Sequence, residues 1–165
     1  MDVRWVDETG STNADLLAEA ADGAPDGLVL VADHQSAGRG RLDRTWTAPP
    51  ESSLLVSLLV RPELTVDDAF LLTNAAGVAA VRACHDVAGA VVGLKWPNDL
   101  VVSQHHHPDR KLGGILAEAR VSGTRLDAVV VGMGLNVNWP FAPPPELADA
   151  AVALDHLVGR PVDRE

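Results

Sequence analysis

Positive charge is concentrated where this chain could handle an anion. Residues 1–38 hold one basic side chain, Arg4, against eight Asp and Glu, and then Arg39, Arg41 and Arg44 arrive within six positions. They sit in Ser36-Ala-Gly-Arg-Gly-Arg-Leu-Asp-Arg44, where the interleaved glycines let backbone N–H groups turn inward while guanidinium forks reach the same anion. A solvated Arg/Gly loop has the same composition, so the segment alone leaves both readings open. Arginine occurs eleven times and lysine twice, at Lys95 and Lys111. An ammonium approaches a single oxygen as a compact charge, whereas a guanidinium is a planar fork, so two lysines in an arginine-rich chain suit a tight site.

Other candidates have plainer readings. Three adjacent histidines, His105 to His107, read as a polar hairpin tip, because neighbouring imidazoles in a turn do not converge on one ion without partners. Cys84, the only cysteine, cannot form an internal disulfide and reads as a small core residue. No G-x-x-x-x-G-K-[ST] loop is present, and Gly132-Met-Gly134 lacks the third glycine and following helix of a dinucleotide fingerprint.

The elements that must position these residues follow from patterning. Val3 to Val6 reads as a short strand; Ser11 or Thr12 then caps a helix to about Asp22 that Gly23 closes. Leu28 to His34 and Ser53 to Val60 read as strands flanking the Arg/Gly loop. Thr65-Val-Asp-Asp68 has capping-box spacing and opens a long helix to about Ala88, with Phe70, Leu71, Val78 and Val81 as its apolar stripe. Strands at Val91–Trp96, Asp99–Ser103, Lys111–Val121 and Leu126–Asn138 follow, then a polar loop around Pro143–Pro145 and a helical turn near Ala151 to Val158. Short connections favour hairpins, so the expected fold is α+β, with an antiparallel or mixed sheet and helices on one face.

Composition narrows the class. The 165 residues carry 13 basic and 23 acidic side chains, a formal net charge of −10, with 47% hydrophobic content. One domain of this size buries about 68–70% of its unfolded surface, so a sizeable core is expected and disorder is not. Net acidity disfavours a duplex nucleic-acid binder. An acidic N-terminus and the lack of a long apolar run predict neither a signal peptide nor a membrane span, leaving cytoplasm as the expected compartment.

Five segments taken in order, Gly10-Ser-Thr-Asn13, Gln35-Ser-Ala-Gly-Arg-Gly-Arg41 with Trp46, Lys95-Trp-Pro-Asn-Asp99, Arg110-Lys-Leu-Gly-Gly-Ile-Leu116 and Gly132-Met-Gly-Leu-Asn-Val-Asn138, resemble the biotin protein ligase family. The resemblance implies an α+β catalytic domain over residues 1–165, with a mainly antiparallel or mixed central sheet and helices packed on it, like lipoate ligases and class II aminoacyl-tRNA synthetases. It also implies that the family's N-terminal winged helix and C-terminal small β-barrel are absent. The implied reaction joins biotin and ATP, with Mg²⁺ expected alongside ATP, into biotinyl-5′-AMP. The biotinyl group then passes to a lysine of a biotin carboxyl carrier protein domain. Two alternatives stand beside it: a module that binds biotin or its adenylate without catalysis, and lipoate or octanoate transfer on the same fold.

By the same resemblance Lys111, Arg41 and Asp99 are the catalytic candidates. Substrate contacts fall to Ser11, Thr12, Asn13, Gln35, Gly38, Arg39, Gly40, Arg41, Lys111, Gly113 and Gly114. Arg39, Arg41, Trp46, Lys95 and Asn136 match nucleotide-side positions, and no metal ligand is assigned. Trp46 and Trp96 also fit core packing, Asn136 a strand end, and Ser11 and Thr12 a helix cap. Asp43, where many family members have glycine, is expected either to pair with Arg44 or to weaken the loop's anion field. A homodimer through sheet edges is further implied.

Overall fold

The computed structural model describes residues 2–104, 107–140, 147 and 149–164. Its frame is one seven-stranded sheet in the order β1-β2-β3-β7-β6-β5-β4. β1 (Asp2–Thr9), α1 (Thr12–Ala21) and β2 (Leu28–Gln35) form a crossover unit in which β1 and β2 are parallel. Every other pairing is antiparallel: β2 with β3 (Ser53–Val60), β3 with β7 (Arg125–Asn136), and the hairpin series β4 (Gly93–Lys95), β5 (Asp99–Gln104), β6 (His107–Ser122) and β7. Short loops between the last four strands leave little choice but antiparallel neighbours, as expected. β6 begins earlier than its apolar run predicts because His107 pairs with Gln104. His105, His106 and Pro143–Pro145 lie outside the described residues.

Helices cover both faces of the sheet, which corrects the one-face expectation. Ala128 and Val130 of β7 join Leu16 and Ala20 of α1 in one core cluster, while Val129 and Val131 join Ala80 and Cys84 of α2 (Phe70–Ala88) in another. Alternate strand residues point to opposite faces, so α1 and α2 sit on opposite sides of β7. A helix α3 (Leu154–Val158) adds to the α2 side, where Leu154 is buried in that cluster.

α1 forms where expected. Ser11 is its N-cap, its hydroxyl accepting from the Ala14 N–H at 3.5 Å, and Asp15 lies in the first turn, where negative charge suits the exposed N–H groups. At the other end the Arg61 guanidinium donates to the carbonyls of Ala20 and Ala24, satisfying groups the helix leaves open. Fully buried Leu16 anchors it to the sheet, a contact of about 1.5–3 kcal/mol.

α2 departs from its reading twice. Thr65 does not cap it: its hydroxyl donates to the Asp68 carboxylate at 2.7 Å, Val66–Asp68 forms a 3₁₀ turn, and the α-helix begins at Phe70. The expected stripe is also displaced. Phe70, Leu71 and Val78 are exposed and Val81 is partly buried, while the buried positions are Gly77, Ala80, Cys84 and Ala88. These small residues recur at helical spacing and let the helix axis approach the sheet closely; at Gly77 an added Cβ would lie 3.0 Å from Leu94. The helix ends in a left-handed C-cap, with Gly89 at φ 69°, its N–H bonded to the His85 carbonyl and that of Ala90 to Cys84.

Candidate active site

On the α1 face the sheet is cut away rather than filled. At Gly134 an added Cβ would lie 2.5 Å from the Trp46 ring, and at Gly132 it would collide with the Asn13 amide. These glycines of β7 let the Trp46 ring and the N-terminus of α1 lie directly on the backbone, walling a cavity of about 400 Å³.

The Arg/Gly loop forms the roof. Gly40 N–H bonds to the Arg44 carbonyl at 2.7 Å and Arg39 bridges to Thr45, closing a tight turn. Leu42 and Asp43 in that turn adopt φ of 56° and 57°, conformations that cost side-chain-bearing residues strain. The loop reaches across the cavity twice: Arg39 donates to Glu118 of β6 at 3.0 Å, and Arg41 donates to the Asn98 amide oxygen at 3.3 Å. Asn98 in turn donates to the Ile115 carbonyl, fixing which atom it offers Arg41. No ion pair joins Asp43 to Arg44 among the described residues, so Asp43 does not lock the loop in that way, and Arg44 faces the cavity.

Lys111 stands on the floor. Its ammonium lies 2.6 Å from Asp99 and 5.7 Å from the Trp46 ring centroid, within cation–π range. Its backbone is clamped on the far side, the N–H donating to the Ala150 carbonyl and the carbonyl accepting from the Val152 N–H. Gly114 leaves room for the lysine side chain, which an added Cβ would approach to 3.3 Å.

The polar wall comes from α1, β2 and β3. Gln35 accepts from the Thr12 N–H at 2.8 Å, and Thr12, Ser57 and Asn13 are linked side chain to side chain at 2.7 and 2.6 Å. Ser11, Thr12, Asn13 and Ser57 are all buried beside the cavity, and Ser11 keeps its capping bond, so capping and lining coincide there.

Most residues singled out from the sequence therefore share one cavity: Ser11, Thr12, Asn13, Gln35, Arg39, Gly40, Arg41, Trp46, Asp99, Lys111 and Gly114. Four do not line it. Lys95 is exposed and lies 3.8 Å from Asp109. Asn136 is buried and donates to the Val152 carbonyl, bracing the segment that clamps Lys111. Gly113 faces the opposite side, where a Cβ would meet the Gly134 carbonyl and Leu100. Gly38 is buried at the base of the loop, where a Cβ would strike the Trp46 carbonyl and touch the Gln35 amide. Trp96 is not core: it is 89% exposed at the cavity mouth.

Sequence reasoning missed Ser57, Asn98 and Glu118. Ser57 had a readable signal, a hydroxyl among leucines and valines in Ser53-Leu-Leu-Val-Ser-Leu-Leu-Val60, and Glu118 stands as a carboxylate within the apolar run Leu112-Gly-Gly-Ile-Leu-Ala-Glu-Ala119.

Among the described residues no cluster of three or more His, Cys, Asp or Glu side chains is arranged to hold a metal. No helix there is long and apolar enough to cross a membrane.

Comparison with known proteins bears on this arrangement. The sequence profile of the biotin/lipoate A/B protein ligase family matches residues 6–136. The biotin–[acetyl-CoA-carboxylase] ligase of Mycobacterium tuberculosis is 44% identical over 161 residues, covering 94% of this chain and 56% of the relative. The bifunctional ligase/repressor BirA of Bacillus subtilis is 37% identical over 146 residues, covering 88% of this chain and 43% of the relative. This chain thus spans about half the length of these relatives. A biotin protein ligase from Aquifex aeolicus, solved in complex with biotin and ATP, superimposes with a TM-score of 0.81 at 32% identity, over 99% of this chain and 63% of the other. Profile, relatives and fold agree, and the chain belongs to the biotin/lipoate A/B protein ligase family.

Proposed function

We propose that this chain is the catalytic core of an ATP-dependent biotin ligase that makes biotinyl-5′-AMP and passes biotin to a lysine of a biotin carboxyl carrier protein domain. The observation that carries the reading is the convergence of Arg39, Arg41 and Lys111 on one cavity, opposite a buried polar wall. The similarity to a biotin–[acetyl-CoA-carboxylase] ligase and to a biotin protein ligase solved with biotin and ATP supports it.

In the first half-reaction a biotin carboxylate oxygen attacks the α-phosphorus of ATP and pyrophosphate leaves. Charge concentrates on the α-phosphate oxygens, and prepositioned cations aimed there supply much of the rate; losing one such donor costs about 10²–10³-fold. Arg39 and Arg41 descend from the roof and Lys111 rises from the floor, so the anion sits between them. The ureido ring of biotin suits the wall of Thr12, Asn13, Gln35 and Ser57, and the adenine suits the Trp46 face. Mg²⁺ would enter on the ATP phosphates, where it neutralises charge, with no ligand set supplied by the described side chains. In the second half-reaction the carrier lysine amine attacks the acyl carbon, AMP departs, and Lys111 offsets the charge on the leaving phosphate. Asp99, already facing an ammonium, is the carboxylate able to orient the incoming amine and take its proton.

Incubation with biotin, Mg-ATP and a biotin carboxyl carrier domain is expected to release pyrophosphate and label the carrier lysine. Biotin binding without pyrophosphate release would reduce the chain to a binding module, and displacement of biotin by lipoate would shift the substrate. A homodimer through a sheet edge would use β1 or β4, the outer strands, and sedimentation of the purified chain tests it.

A further inference from the structure

Resting on that biotin reading, we propose that Glu118 is a positioning residue that sets the hydrogen-bonding direction of the pocket wall, so that the wall shows acceptors to the N–H groups of the ligand's ureido ring. The carboxylate ends a chain of five polar side chains, Glu118, Asn13, Ser57, Thr12 and Gln35, and is the only charged group in it. One of its oxygens accepts from the Asn13 amide at 2.8 Å and from Arg39 at 3.0 Å.

The rest is proton bookkeeping. A carboxylate and a backbone carbonyl only accept, and the Asn13 side chain meets both, Glu118 at 2.8 Å and Leu116 at 3.1 Å, so the atom it turns to them must be the NH₂ group. Its oxygen is thereby committed to the other side, where Ser57 Oγ lies 2.6 Å away and has to donate. Having spent its one proton, Ser57 can only accept from Thr12 Oγ1 at 2.7 Å, which spends the Thr12 proton in turn. Thr12 Oγ1 therefore has no proton left for Gln35 Oε1, 3.1 Å away, and that oxygen is served by the Thr12 N–H at 2.8 Å instead. With every hydroxyl proton directed toward Glu118, lone pairs of Thr12, Ser57 and Asn13 are what the wall has to offer, together with the Gln35 NH₂ group. A ring presenting N–H groups and one carbonyl fits that pattern, and a ring lacking an N–H does not. Replacing the carboxylate by an amide leaves the Leu116 carbonyl, at the longer 3.1 Å, as the one remaining obligate acceptor for the Asn13 NH₂, so the preference for this direction weakens and the protons behind it can reverse.

The same oxygen holds Arg39, so the residue that polarises the wall also ties the roof to the pocket. Ser57 separates the two effects, since it touches the wall but not Arg39.

The test is a calorimetric cycle on the full chain, using biotin and a carbamate analogue in which oxygen replaces one ureido N–H. Wild type is expected to bind the analogue at least about tenfold more weakly than biotin, the penalty for leaving buried acceptors facing another acceptor. Glu118→Gln is expected to lose about tenfold in biotin affinity and to discriminate between the two ligands by less than about threefold. Ser57→Ala should show the same collapse of discrimination while keeping the Arg39–Glu118 pair, which covers the case in which Glu118→Gln fails to fold. Undiminished discrimination in either folded variant overturns the proposal while leaving the biotin reading standing. Absence of biotin binding by wild type overturns that reading, and the proposal with it.

Discussion

The two faces of this sheet are built from the same strands and follow opposite rules. Toward α2, β7 presents Val129, Val131 and Leu135, and the helix answers with Ala80, Cys84 and Ala88, so the space closes into an apolar core. Toward α1 the next residues along β7 are Gly132 and Gly134, and what fills the gap is the Asn13 amide, the Trp46 ring and a cavity. Alternation along a strand therefore partitions labour: one parity supplies stability, and the other is relieved of packing so that polar and cationic groups can converge.

That division breaks first, and hardest, at Gly134. Gly134→Val would drive a branched side chain into the Trp46 ring, and adenylate formation is expected to fall at least about 100-fold, in line with misplacing a positioned group. The thermal midpoint should move little, because the residue faces away from the α2 core; a pyrophosphate-release assay beside a melt checks both. Leu112→Ala is the mirror experiment. It opens a cavity in the α2-side core, where Leu112 is fully buried, and should cost about 2–5 kcal/mol in urea unfolding. The folded fraction should retain wild-type affinity for biotin.

Smaller effects sharpen the contrast. Asp99→Asn keeps the shape around Lys111 but removes its carboxylate at 2.6 Å, and turnover should fall about 10–100-fold, the scale of one positioned acid–base group, with little change in biotin affinity. Cys84 reports on the other face. Burial pushes its thiol up to about 11 from an ordinary 9.0. The native state therefore holds its proton after the unfolded chain has released it, and stability should decline as pH rises from about 9 to about 11. The chain has no tyrosine. The decline should vanish in Cys84→Ala, and the native thiol should resist a disulfide reagent at pH 8 that modifies it after unfolding.

The sequence carried the strand series well, because β-type runs separated by short polar connections leave an antiparallel sheet as the simplest closure. β3 was readable to the residue, with Ser53 and Val60 as its ends. The orientation of α2 was not legible. Its face toward the sheet is made of small residues, and a reading that looks for large apolar side chains selects Phe70, Leu71 and Val78, which face out. The cations of the cavity were visible by type and spacing, whereas the groups that hold them were not. Glu118 pairs with an arginine 79 positions away and Asn98 with one 57 positions away, distances that only the folded sheet closes. Lys95 shows the converse: the right residue type in the right segment, directed outward to Asp109 by its place on the short edge strand β4.

The central claim is that Arg39, Arg41 and Lys111 surround a single phosphate-bearing anion on the α1 face. The most direct measurement is calorimetric affinity for a non-hydrolysable analogue of biotinyl-5′-AMP, set against biotin alone, in wild type and in Lys111→Gln. The account predicts that wild type prefers the adenylate analogue by at least about 100-fold, and that Lys111→Gln loses about tenfold or more on the analogue while changing biotin affinity by less than about threefold. Equal losses on both ligands, or none on either, would contradict it.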